Sequence, residues 1–154
     1  MRRNTAEPEA ALVQIRRTIP APVERVYRAW TEPELVERWF KPRGGSSAGA
    51  EMDVRAGGRY RWGMKLLGHV YYAFGEYVEV EPVQRLVFTF GWEQVPFVRM
   101  TDSVVTVEFH DQDSQTEVVI THERLGGRAL RSMHRQGWEG CLDLLVELQK
   151  AAAV

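Results

Sequence analysis

The chain has 154 residues, 44% hydrophobic, 27% charged and 10% aromatic, with 20 basic against 21 acidic residues and a net charge of −1. These are the proportions of one ordinary soluble domain burying roughly 68–70% of its unfolded surface, so neither a second full domain nor a stapled miniature is called for. The even charge, with no run of one sign, argues against nucleic acid as a partner. The single Cys141 cannot close an internal disulfide and fits a reducing compartment, and no Cys/His cluster has zinc spacing.

The opening MRRNTAEPEA carries two arginines with no apolar run behind them, and no window approaches the length of a membrane span. Residues 1–10 are expected to be a frayed leader, residues 11–150 a single domain, and the location cytoplasmic. From Leu12, Val13, Ile15 and Ile19 recur at period two until Pro20, a strand with one wet face. The period then changes. Val23, Val26, Tyr27 and Trp30 form a helical stripe starting at Pro22, and Leu35, Val36, Trp39 and Phe40 form a second, with Thr31 between them as an N-cap-like residue. Pro42 and the Gly-Gly-Ser-Ser loop stop the second helix.

From Gly49 to about Arg124 period two returns, with Met52 and Val54, then Tyr60, Trp62 and Met64, then Val70, Tyr72, Phe74, Val78 and Val80. Leu86, Phe88, Phe90 and Trp92 follow, then Val105, Val107 and Phe109, then Val118, Ile120 and His122. Gly57-Gly58, Leu67-Gly68, Glu81-Pro82 and the polar stretch Asp111–Ser114 read as hairpin turns, so the runs predict an antiparallel meander of about six strands. The segment EQVPFVRM, with Pro96 in its middle, is apolar but aperiodic and reads as a loop. After Gly126-Gly127 a stripe through Leu130, Met133, His134, Gly137, Trp138, Cys141, Leu142, Leu145 and Leu148 predicts one long closing helix.

That order predicts an α+β two-layer domain in which the last helix lies across one face of the sheet. Tyr60, Trp62, Tyr72, Phe74, Phe88, Phe90 and Trp92 share the presumed inner phase and oppose Trp138. They either interdigitate into a solid core or line a cavity, and the sequence leaves both open.

Five stretches taken together resemble the activator of heat-shock-protein ATPase homologues, a family of the START-like (SRPBCC) superfamily that shares the birch-pollen-allergen fold. They are RTIPAPVERVYRAWTEPELVERWF, GRYRW, FGEYVEVEPVQRLVFTF, TEVVITHERL and HRQGWEGCLDLLVELQK. The resemblance covers residues 12 to about 149 and implies a helix-grip fold, a curved antiparallel sheet around a long C-terminal helix with a hydrophobic cavity between them. It implies no common catalytic set, and fold alone does not give function.

Three functions follow as expectations. The first is a cofactor-independent domain binding a hydrophobic or lipid-like small molecule, contacted by Trp39, Tyr60, Trp62, Tyr72, Phe74, Glu76, Phe88, Phe90, His122 and Trp138. Among these His122, in phase with Val118 and Ile120 on an apolar strand, is the first choice for orienting a ligand. Glu76 shares the phase of Tyr72, Phe74 and Val78 and points inward unless the strand bulges at Gly75. The second is a module stimulating a chaperone or other protein, as the family name implies. The third is a cyclase- or hydrolase-type enzyme, for which only Glu76 and His122 are candidates. Arg59 and Arg61 alternate with Tyr60 and Trp62 and belong to a solvated face; His69, His110 and His134 lack metal spacing, and no metal or cofactor is expected. Cys141 reads as buried filler. The state is monomer or homodimer, an edge strand being able to pair across a dimer axis.

Overall fold

The computed structural model describes residues 12–93 and 103–152. The expectations for residues 1–10 and for the Pro96 segment lie outside the described residues. In chain order come β1 (Val13–Ile19), α1 (Val23–Thr31), α2 (Pro33–Trp39), β2 (Ser46–Met52), β3 (Arg59–Leu66), β4 (His69–Glu81), β5 (Arg85–Trp92), β6 (Ser103–Gln112), β7 (Gln115–Glu123) and α3 (Arg128–Ala152). The strands form one antiparallel sheet in the order β1-β7-β6-β5-β4-β3-β2. The sheet curls into a half-barrel, and α3 lies in its hollow against β1 and α2.

Local chemistry sets the boundaries. Pro22, at φ −62° and ψ 155°, leads into α1, which buries Val23, Val26, Ala29 and Trp30. The residue before a proline avoids the helical region. Glu32, at φ −113° and ψ 124°, therefore ends α1 and caps α2, whose first residue is Pro33. Thr31 closes α1 instead of capping α2, its hydroxyl donating to the Tyr27 carbonyl at 3.0 Å. These helices carry the chain from one edge of the sheet to the other, and β2 starts at Ser46, inside the stretch read as loop. The β3–β4 turn places Leu67 and Gly68 at φ 53° and 80°, the left-handed pair of a tight two-residue hairpin.

Strand β4 corrects the sequence reading. Trp62 pairs with Ala73 and Tyr60 with Gly75, while Arg61 pairs with Phe74 and Arg59 with Glu76. Tyr71, Ala73, Gly75 and Tyr77 thus face the hollow, and Tyr72, Phe74 and Glu76 face outward. The pairing with β5 keeps one register from Phe74 opposite Gly91 to Tyr77 opposite Phe88, although Gly75 and Glu76 between them have no ladder partner there and the Glu76 N–H donates to Thr89 Oγ1 instead. It slips between Tyr77 and Glu79, where Val78 is left 58% exposed. Beyond this bulge Val80, opposite Leu86, packs inward, so one strand uses both phases. Position 75 has room only for glycine, because a Cβ there would strike the Thr89 carbonyl first and then come within 2.8 Å of Tyr60 Cε1.

Candidate functional site

Where α1, α2 and the middle of the sheet meet α3, the hollow is filled. Trp30 and Trp39 lie 4.4 Å apart, Tyr60 and Trp62 4.7 Å, and Tyr60 and Phe88 5.2 Å, in a continuous array of tilted and edge-to-face rings. Trp39 is fixed further by its indole N–H, which donates to the Ala29 carbonyl at 2.8 Å. Trp39, Tyr60, Trp62 and Phe88 are all at most 3% exposed. These four predicted ligand contacts are core.

Toward the N-terminal half of α3 the filling stops, leaving a recess of about 380 Å³. The sheet side is made by Met64 and Leu66 of β3, Tyr71 of β4, and Phe90 and Trp92 of β5. The helix side is made by Met133, His134, Gly137, Trp138 and Cys141, which recur at helical spacing on one face of α3. Phe40, Lys41 and Pro42, just past α2, close one end. Gly137 matters most. A Cβ built on it would meet nothing within 4 Å, so the helix wall is open at this point of the lining.

The polar groups around the recess are already paired. Trp92 donates its indole N–H to His134 Nε2 at 3.1 Å, and His134 Nδ1 donates to the Leu130 carbonyl at 2.8 Å. Behind them Trp138 donates to His122 Nδ1 at 3.1 Å. His122 Nε2 donates in turn to Ser103 Oγ at 3.0 Å, and the Ser103 hydroxyl donates to the Phe90 carbonyl at 2.6 Å. Each imidazole has one nitrogen donating and one accepting, the pattern of a neutral ring. The two rings are 5.2 Å apart. Burial, then the neighbouring His134, pushes the pKa of His122 down to about 3. Burial also lowers that of His134, partly opposed by its bond to Leu130. Burial pushes the Cys141 thiol up to about 12, so it is an inert wall atom.

Of the residues proposed from sequence, Phe90 and Trp138 line the recess. His122 is fully buried behind it, held by Ser103 and Trp138, with no nitrogen left to orient a ligand. Tyr72, Phe74 and Glu76 lie on the opposite face of the sheet. There Arg61 stacks 3.6 Å above the Tyr72 ring and makes two hydrogen bonds to Glu93, at 2.8 and 2.9 Å. The arginine holds the Glu93 carboxyl below its usual range. Arg59 and Arg61 are on this outer face, as their alternation predicts. Lys41, His134 and Gly137 were not proposed as ligand contacts; the only signal was that His134 and Gly137 fall in the stripe of α3. Among the described residues, no group of three or more His, Cys, Asp or Glu is placed to hold a metal ion, and no helix is long and apolar enough to cross a membrane.

Comparison with known proteins agrees with this geometry. The family model described as activator of Hsp90 ATPase homolog 1-like protein matches residues 20–150. Among the curated proteins there is no match. Protein CV1439 of Chromobacterium violaceum is 24% identical with a TM-score of 0.79, over 90% of this chain and 96% of its own. A protein of Rhizobium leguminosarum is 28% identical with a TM-score of 0.76, over 92% and 95%. An AHSA1-like protein of Aeromonas hydrophila, solved in solution, is 24% identical with a TM-score of 0.77, over 92% and 94%.

Proposed function

Since the chain belongs to the activator of Hsp90 ATPase homolog 1-like family, whose fold is START-like, we propose that it binds a small, largely apolar molecule in the recess between sheet and terminal helix. The observation that carries this reading is Gly137. Glycine inside a helix costs about 1 kcal/mol relative to alanine, yet here it faces space that an alanine methyl would enter unopposed. The recess falls within the roughly 300–1,000 Å³ of small-molecule pockets and is walled almost wholly by carbon and sulfur. Burial of ligand carbon, at roughly 25 cal/mol per Å², supplies the affinity.

The same geometry disfavours chemistry on the ligand. Both histidines spend their nitrogens on protein partners, the thiol is held protonated, and Glu76 is on the far face, so among the described residues none of these four groups is free to act as acid or base in the recess. The test is native mass spectrometry of the protein purified from its own cells, followed by a thermal-shift screen of hydrophobic metabolites against the wild type and Gly137→Leu. A molecule that co-purifies with, or raises the melting temperature of, the wild type but not the leucine variant is the expected result. A clean apo mass with no shift for the wild type would refute the reading and leave the protein-interaction module in its place.

A further inference from the structure

Among the described residues Lys41 is the one Lys, Arg, Asp or Glu that lines the recess, just past the end of α2 and with its backbone beside the Cys141 thiol of α3. Its neighbours are paired. Arg43 holds one oxygen of Asp143 at 2.8 Å, and Arg17 holds the other. Lys41 is in none of the ion pairs among the described residues. A lysine at an apolar lip lays its methylene stem on the wall and keeps its ammonium at the water boundary. The recess interior offers a guest no hydrogen bond from either imidazole or from the indoles of Trp92 and Trp138, because all are engaged.

A guest is therefore rewarded for carbon inside and for negative charge at the Lys41 end. We propose that the recess takes an amphipathic carboxylate, its carbon body buried against Trp92, Trp138 and Met133 and its carboxylate received by Lys41. The volume fixes the size. At the ~30 Å³ that one water-sized group occupies in a liquid, about a dozen heavy atoms fill 380 Å³. This rests on the reading of the recess as a ligand site and adds the class of ligand.

The experiment is calorimetric titration of the full chain with decanoate and with decan-1-ol, below micelle-forming concentrations, for the wild type and Lys41→Met. Methionine keeps an unbranched apolar stem and removes the charge. The wild type should bind decanoate about 5-fold more tightly than the alcohol, a preference that shrinks in high salt. In Lys41→Met the preference should vanish, the two probes binding with equal affinity. Equal wild-type affinity for the two probes, or a preference that survives in Lys41→Met, would overturn the role of Lys41 and leave the apolar recess standing. Failure of both probes to bind would overturn the ligand-site reading and this inference with it.

Discussion

Replacing Gly137 by alanine should stabilise the protein, although the residue sits in the wall of the site. The helix α3 runs for 25 residues, and Gly137 lies well inside it. The change gains the propensity difference of about 0.8–1 kcal/mol, and the structure shows no atom within 4 Å of the new methyl to offset it. For a chain of this length that raises the melting temperature by roughly 2–4 °C. Gly140 provides the control: it lies in the same helix, its Cβ is equally unobstructed, and it does not line the recess. Gly140→Ala should gain the same amount. Leucine separates the two sites, because at 137 its side chain enters the recess, where partial burial adds about 1 kcal/mol and displaces any guest. Urea unfolding followed by far-ultraviolet circular dichroism reads the stabilities, and decan-1-ol titration reads the occupancy. If Gly137→Ala loses stability, or Gly137→Leu binds the alcohol as the wild type does, the helix wall is not hollow and the reasoning fails.

Acid should weaken the fold well before its carboxylates protonate. The unfolded chain takes up a proton on His122 near pH 6.5, whereas the folded protein refuses it until about pH 3. Stability is therefore full above pH 6.5 and falls as the pH drops toward 3, by about 2 kcal/mol between pH 7 and 5 from this group, with His134 adding in the same direction; a urea midpoint unchanged over that interval would contradict the burial argument. Leu67→Asn should stabilise by about 1 kcal/mol, since a leucine 87% exposed at φ 53° gains nothing from packing and pays for a left-handed backbone; a lower melting temperature would show that the leucine has a partner. Glu76→Ala should change stability by no more than ~0.5 kcal/mol and leave ligand binding untouched, because the side chain is exposed on the outer face; weakened ligand binding in that variant would return Glu76 to the site.

The periodicities of the sequence predicted the described helices and strands in order, with β2 displaced into the stretch read as loop, because burial on one face leaves a repeat of 2 or 3.6 that needs no knowledge of the partner. Period alone does not say which phase is inner. In β4 the outward set contains Tyr72, Phe74 and Val78, and the inward set includes Ala73 and Gly75, so counting large apolar residues selects the wrong face. The inward glycine is explained only by partners distant in sequence, the Thr89 carbonyl of β5 and the Tyr60 ring of β3, which leave no room for a Cβ. His122 shows a different limit. Its phase correctly puts it inside, but its partners come from β6 and α3, and those contacts decide that it braces the wall and does not face a guest. The recess itself is a volume left empty, and the residue that leaves it empty has no side chain to signal it.

The tryptophans have an optical consequence. The chain has five, and they divide by place: Trp30, Trp39 and Trp62 are sealed in the packed array at 0–1% exposure, while Trp92 and Trp138 border the recess. The 4.4 Å pair of Trp30 and Trp39 is close enough for its transitions to couple, which gives the intact core a near-ultraviolet signature that survives when a guest enters. A guest entering as proposed should instead change the emission of the border pair. Excitation of one natural fluorophore should thus report folding through the sealed three and test the proposed occupancy through the border pair, with no label attached.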